Sequence, residues 1–279
     1  MRLYRSFLFV PGNNEKRIRK ALSSEADAII IDLEDAVATN EKDSARDIAL
    51  RLSNEPRKKP LYIRINSLKS PYFEKDIECI NTSNIDGVIL PKCEKGEDVT
   101  YLVNRLKIKL DIIPLIESAK GVINSQNIAA SSENISRLAF GAIDYTLDIE
   151  AIYSKTGKEL LYPRSKLVLS SKVANLFPPV DTVFPDLEDE TSLALEIEEA
   201  KILGMFGKLA IHPKQLPIIN NNFTPSEKEI EEAKKVVEIF EKSEKEGTAA
   251  IEVDGKFVDY PVYKRSKNLL NLINNFNQE

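Results

Sequence analysis

The chain has 279 residues, 42% of them hydrophobic, with 39 basic against 44 acidic side chains and a formal charge of −5. Such an acidic field repels phosphate backbones, which argues against general nucleic-acid binding unless a local basic patch exists, and no apolar run approaches the roughly 20 residues that span a bilayer. One histidine, His212, excludes HExxH, multi-histidine zinc and two-histidine iron centres within one chain.

Met1–Arg5 lead into Ser6–Val10, an apolar run that stops at Pro11-Gly12 without a small-residue cleavage site, so it reads as a strand and not a signal peptide. Seven more β-rich runs follow: Ala28–Leu33, Leu61–Ile65, Gly87–Leu90, Ile112–Ile116, Leu138–Ile143, Thr182–Phe184 and Leu209–Ile211. Between them lie stretches of helical spacing, among them Glu15–Leu22, Lys42–Leu52, Glu97–Leu106, Leu160–Leu176 and Glu190–Leu203. Short strands alternating with helices make βαβ units and a parallel sheet. Eight runs favour a closed (β/α)8 TIM barrel over a doubly wound sheet. The long connection Asp144–Glu159 reads as an active-site loop. Cys79 and Cys93 form no CxxC, and two thiols in a long charged chain predict a reducing, cytoplasmic setting. The ten glycines contain no GxG, so neither a dinucleotide nor a P-loop fingerprint is present.

Residues 1–225 are expected to form the catalytic barrel and residues 226–279 a C-terminal helix and arm. Ser226 and Glu229 make a capping box, and Ile230, Ala233, Val237 and Phe240 repeat at helical spacing up to the charged run Glu241–Gly247. Val253–Pro261 then reads as an extended arm before a last helix near Tyr263–Ile273. This tail need not pack on its own barrel and is expected to reach a neighbouring subunit.

A barrel places functional residues just after its strands, and the polar residues fall there. Arg64 lies within an apolar strand, either as a structural partner of a carboxylate or as a bidentate clamp on a substrate oxygen. Glu117 and Asp144 each follow an apolar strand, where an unpaired charge is costly. They suit a hard cation such as Mg²⁺, which takes one or two protein carboxylates, or alternatively helix caps. Asp32, Glu34 and Asp35 cluster after the second strand, in a supporting role that includes capping the next helix or pairing with Arg64. Lys92 offers a rival Schiff-base chemistry. His212, before Pro213, reads as structural.

Taken in order, the pieces Arg5-Ser6-Phe7-Leu8-Phe9-Val10-Pro11-Gly12, Asp32-Leu33-Glu34-Asp35-Ala36-Val37, Arg64-Ile65-Asn66, Leu90-Pro91-Lys92 and Leu115-Ile116-Glu117-Ser118 form a series. Gly141-Ala142-Ile143-Asp144-Tyr145, Gly207–Pro213 and Asp254–Pro261 complete it. The series resembles the citrate lyase beta-subunit-like group of the HpcH/HpaI aldolase superfamily, from about residue 5 to residue 270. That resemblance implies a Mg²⁺-dependent (β/α)8 carbon–carbon lyase, usually a homo-oligomer (trimer or hexamer). Its metal ligands fall on Glu117 and Asp144, and its substrate arginine on Arg64, with Glu117 also beside the substrate. A C-terminal acid/base offered to the neighbouring subunit falls on Asp259.

The implied reaction cleaves a 3-hydroxy-acyl thioester of the citramalyl-CoA, malyl-CoA or citryl-CoA type. It yields an acyl thioester and a 2-oxo acid such as pyruvate, glyoxylate or oxaloacetate. Many relatives read Gly-Ala-Glu-Asp where this chain has Ile143 before Asp144, which leaves substrate choice open. Ile211-His212-Pro213, in place of Ile-Asn-Pro, favours a stand-alone CoA-thioester lyase over a citrate lyase beta subunit acting on an acyl-carrier-protein thioester within a complex. An aldolase of free 2-oxo acids and a non-catalytic subunit of a carrier-protein complex are the remaining alternatives.

Overall fold

The computed structural model describes residues 3–276, which divide into two compact units, one ending at Phe223 and the other beginning at Thr224. In the first unit the apolar runs form short strands and the amphipathic stretches form helices. In chain order these are β1 (Ser6–Pro11), α1 (Glu15–Leu22), β2 (Ala28–Asp32), α2 (Lys42–Ser53), β3 (Leu61–Arg64) and α3 (Phe73–Ile80). Next come β4 (Gly87–Leu90), α4 (Gly96–Val103), β5 (Asp111–Ile116), α5 (Ala119–Ala129), β6 (Ala139–Phe140) and α6 (Ala142–Asp148). The unit closes with α7 (Leu161–Val173), α8 (Glu190–Leu203), β7 (Lys208–Ala210) and α9 (Leu216–Phe223).

All seven strands are parallel, in the order β6-β5-β4-β3-β2-β1-β7. The sheet is curled, and its side chains divide into two separate cores because successive residues of a strand point to opposite faces. Leu8, Ile29, Ile31, Ile63, Val88 and Ile112 meet the helices. Phe7, Ala28, Ile30, Tyr62, Ile113 and Leu115 pack together on the other face. Continuing the inner rows by two residues leads from Ile30 to Asp32, from Tyr62 to Arg64 and from Leu115 to Glu117. The functional side chains are thus the last inward positions of apolar rows.

Two expected strands differ. Thr182–Phe184 makes no ladder; instead Val180 and Asp181 form single parallel bridges, to Ala139 of β6 and Lys208 of β7. Pro178, Pro179 and Pro185 bracket this segment and lack the N–H groups a ladder requires. Asp181 is fully buried and is held by Arg164 (Nε–Oδ1 2.8 Å) and Lys208 (Nζ–Oδ2 2.7 Å). The expected strand Leu138–Ile143 is only the two-residue β6, and the chain turns into α6 at Ala142. Asp144 therefore lies in the first turn of a helix rather than at a strand end.

The second unit comprises α10 (Glu227–Lys245), β8 (Ile251–Val253), β9 (Lys256–Val258) and α11 (Tyr260–Phe276). The Ser226–Glu229 capping box forms as expected. The expected extended arm is instead an antiparallel hairpin, β8 with β9, turning at Asp254 (φ 51°) and Gly255 (φ 73°). Two successive positive φ values match the twist of paired strands, and Asp-Gly accepts them at low cost. Phe240 stacks on Tyr263 with ring centroids 4.7 Å apart and joins Val253 and Val258 in a small core. Among the described residues no helix is long and apolar enough to cross a membrane.

Candidate active site

The register that pairs β2 with β3 sets Asp32 beside Arg64. Asp32 is 1% exposed and takes the guanidinium in a bidentate pair, Nε–Oδ1 at 2.8 Å and Nη2–Oδ2 at 2.6 Å. The same carboxylate accepts the backbone N–H of Glu34 at 2.9 Å and of Ala36 at 3.0 Å, which folds the acidic loop around it. The Phe9 ring lies 4.8 Å from the guanidinium carbon, a cation–π contact that fixes its plane. Lys42 holds the loop from behind, donating to the carbonyls of Leu33 (2.7 Å) and Glu34 (2.6 Å). Asp32 thus fulfils the pairing role expected of the cluster. The Nε–Nη2 edge of Arg64 is engaged by Asp32, so a clamp on a substrate oxygen falls to the rest of the guanidinium. Only the other guanidinium hydrogens are left for substrate, with Nη1 at 3.3 Å from Glu34 Oε2.

Lys92 follows β4 with φ 51°, a conformation rare for a residue with a Cβ and worth reading as functional. The strained turn aims its N–H at Glu117 Oε1 (2.7 Å), and its Nζ reaches Glu34 Oε1 at 2.9 Å. Burial works against the ammonium, but the bond to Glu34 and the fields of Glu34, Asp35 and Glu117 outweigh it and raise its pKa. A Schiff-base lysine must be neutral to attack a carbonyl, so this ion pair opposes the lysine-aldolase alternative.

Glu117 is 4% exposed at the end of β5. Burial, then the negative charges of Glu34 and Asp144, push its carboxyl up to about 8, against the pull of the Lys92 N–H and Arg64. Neither Glu117 nor Asp144 is a helix cap. Ser118 caps α5 by accepting the Gly121 N–H at 3.1 Å, and α6 starts at Gly141. A Cβ at position 141 would stand 2.7 Å from Glu117 Oε2, so the glycine lets the start of α6 close against the carboxylate. Thr182 completes that start, its hydroxyl accepting the Ala142 N–H at 2.9 Å.

Asp32, Arg64, Glu117 and Asp144 share one cavity of about 400 Å³ with Phe9 and Ile143. Asp35 stands exposed at its rim, 3.8 Å from Lys92 Nζ. A larger hollow of about 630 Å³, lined by Ser132, Glu133, Asn175 and Phe177, shares none of these groups. Among the described residues no three His, Cys, Asp or Glu side chains converge as a closed metal cage. The donor set therefore suits a hard cation that keeps most of its positions for water and substrate, as Mg²⁺ does. A buried Glu117 carboxyl whose proton affinity is raised by burial and by the charges of Glu34 and Asp144, together with a hydrogen-bond-free Glu34 Oε2 beside Arg64, is the environment such a cation relieves.

The remaining expected residues lie elsewhere. The Nδ1 of His212 accepts the Lys214 N–H at 3.1 Å and caps a short 3₁₀ turn. Asp259 belongs to the second unit, where its Oδ1 accepts the Val262 N–H at 3.3 Å at the start of α11. Phe9, Lys42, Gly141 and Thr182 are site residues that the sequence motifs did not single out.

A parallel sheet that brings an arginine, an acidic loop and a buried glutamate to its strand ends, beside an aspartate in the first turn of α6, makes this an α/β protein with a carboxylate-lined cavity. The chain belongs to the HpcH/HpaI aldolase/citrate lyase family, whose sequence profile matches residues 5–213. It is 34% identical to the citrate lyase subunit beta of Leuconostoc mesenteroides subsp. cremoris, over 98% of this chain and 94% of that protein. It is 30% identical to the mitochondrial citramalyl-CoA lyase of Rattus norvegicus, over 96% of this chain and 85% of that protein. Its structure resembles the CitE protein of Mycobacterium tuberculosis, solved with magnesium, acetoacetate and coenzyme A. That likeness has a TM-score of 0.83 and 26% identity, and it covers 98% of both chains.

Proposed function

We propose that the protein is a Mg²⁺-dependent carbon–carbon lyase that cleaves a 3-hydroxy-acyl thioester of the citramalyl-CoA, malyl-CoA or citryl-CoA type by retro-Claisen chemistry. The observation that carries this reading is the meeting of Glu117, Asp144 and Arg64 in one cavity at the C-terminal ends of parallel strands. Similarity to citrate lyase beta subunits and citramalyl-CoA lyases supports the substrate class.

Glu117 and Asp144 would hold Mg²⁺, which supplies Lewis-acid polarisation and a template for the hydroxy-acid end of the substrate. Arg64, oriented by Asp32 and Phe9, directs its remaining N–H groups at the hydroxyl oxygen that becomes the ketone. The carbon–carbon bond breaks, its electron pair moves onto the thioester α-carbon, and the proton lost from the hydroxyl is returned there. Asp259 of a neighbouring copy serves as the acid/base for that transfer. The products are an acyl thioester and pyruvate, glyoxylate or oxaloacetate.

We further read residues 1–225 as a closed eight-position barrel. The bridges from Val180 and Asp181 to both outer strands support closure. Residues 226–279 are read as the part that docks on a neighbouring copy in a trimer or hexamer. Phe257, 68% exposed on the hairpin, supports that docking. The two buried free thiols support a cytoplasmic setting.

Relatives named citrate lyase subunit beta favour a second reading, a subunit acting on an acyl-carrier-protein thioester. The test is release of acetyl-CoA from malyl-CoA, citramalyl-CoA and citryl-CoA, with Mg²⁺ and with EDTA. Metal-dependent cleavage of a free CoA ester supports the first reading. Cleavage of the carrier-protein thioester alone supports the second.

A further inference from the structure

We propose that the apolar wall of the cavity, with Ile143 at its rim, restricts the 2-oxo-acid half of the substrate to a short alkyl chain and rejects a second carboxylate. This rests on the lyase reading above and chooses among its substrates.

The charge inventory comes first. Among the described side chains that line the cavity, Asp32, Asp35, Glu117 and Asp144 are acids and Arg64 is the one base. Arg64 is already paired in bidentate fashion with Asp32. The next cation, Lys92, is bonded to Glu34 at 2.9 Å. A cation on Glu117 and Asp144, with Arg64, can neutralise one substrate carboxylate and its neighbouring oxygen. A second carboxylate would find no further cation among the described lining side chains, and Asp35 at the rim would repel it.

Most of the remaining lining is hydrocarbon: Phe9, Leu115, Ile143, Val183, Leu209 and Ile211. Strand alternation puts Leu115 one inward step below Glu117, and Leu209 one step below Ile211. The wall therefore begins directly beneath the carboxylates. Ile143 and Ile211 are each 41% exposed, so apolar surface stands open where the substrate's side group would lie. A methyl or ethyl group gains by covering it. A carboxylate pressed on the same carbons loses its water, with the Thr182 hydroxyl the one described lining side-chain donor besides Arg64. Sites that leave a polar group unpaired discriminate far more strongly than sites that miss a methylene, so a preference of at least about tenfold is expected. The product is accordingly pyruvate or 2-oxobutyrate rather than oxaloacetate.

The test uses the full chain with saturating Mg²⁺. Binding of free pyruvate, 2-oxobutyrate and freshly prepared oxaloacetate is measured by thermal shift, with Mg²⁺ binding followed separately by calorimetry. The apparent Kd of the two alkyl acids should lie at least about tenfold below that of oxaloacetate. Ile143→Arg should bring the oxaloacetate Kd down and close that gap, whereas Ile143→Leu should preserve it. Position 143 is half-exposed, so both variants are expected to fold. Oxaloacetate binding as tightly as pyruvate overturns the inference, and so does an unchanged order in Ile143→Arg, which would assign the wall to the thioester arm. In both cases the lyase reading stands. Intact Mg²⁺ binding with no binding of any 2-oxo acid overturns the reading and the inference together.

Discussion

Replacing Asp32 by Asn tests how the arginine is held. The native carboxylate accepts four hydrogen bonds: two from Arg64 at 2.8 and 2.6 Å, and the backbone N–H groups of Glu34 and Ala36. The amide keeps the volume but loses the charge, and one acceptor becomes a donor facing the guanidinium. Breaking a buried ion pair from one side costs about 3–5 kcal/mol. Arg64 keeps its contact with Glu34, 3.3 Å away, so the lower end, about 3 kcal/mol, applies. At about 2–4 °C per kcal/mol for a unit of this size, the melting temperature should fall by about 6–12 °C. A guanidinium displaced by about 1 Å should lower kcat/KM by roughly 100-fold, while Mg²⁺ affinity changes by less than about twofold because Asp32 is no ligand. Calorimetric melting, thioester cleavage and Mg²⁺ titration on one preparation report all three. An unshifted melting point with kcat/KM within twofold of wild type would refute the idea that Asp32 positions Arg64.

Other perturbations follow from the same contacts. Burial works against the Asp181 carboxylate, but Lys208 and Arg164 outweigh it and hold its pKa below the usual range. Its stabilisation is therefore present above about pH 4 and lost as pH falls through the folded value. Urea melts from pH 5 to pH 3 should show a steep loss in wild type and a flatter one in Asp181→Asn, itself about 3 kcal/mol weaker at neutral pH; equal slopes would contradict the pairing. Gly141→Ala places a methyl 2.7 Å from Glu117 Oε2, so it should weaken Mg²⁺ binding by at least about tenfold without unfolding the chain, as circular dichroism and calorimetry would show. Borohydride with pyruvate should leave Lys92 unmodified by mass spectrometry, since its ammonium is bonded to Glu34. A trapped adduct there would revive Schiff-base chemistry.

Much of this architecture was legible in the chain because inward and outward residues alternate in short runs. Ile30 to Asp32 and Leu115 to Glu117 announce where an apolar row ends in a charge. The capping box at Ser226 was equally local. What the runs did not reveal depends on contacts between distant residues. Thr182 serves α6 from 40 positions away, and Lys42 reaches the carbonyls of Leu33 and Glu34 only once α2 has docked. The early start of α6 follows from Gly141 meeting Glu117, an approach that no propensity encodes. The arm differs from expectation for another reason: Asp254-Gly255 is a local hairpin signal, but its flanking strands are so short that together they read as one extended segment. Prolines at 178, 179 and 185 likewise marked a segment unable to form a regular ladder.

The central claim is that Glu117 and Asp144 jointly hold the divalent cation on which cleavage depends. Calorimetric titration of metal-free protein with Mg²⁺, repeated for Glu117→Gln and Asp144→Asn, measures it most directly. One site per chain in wild type, lost in both variants while their folded spectra persist, is the predicted result. Wild-type affinity retained in either variant would contradict the account.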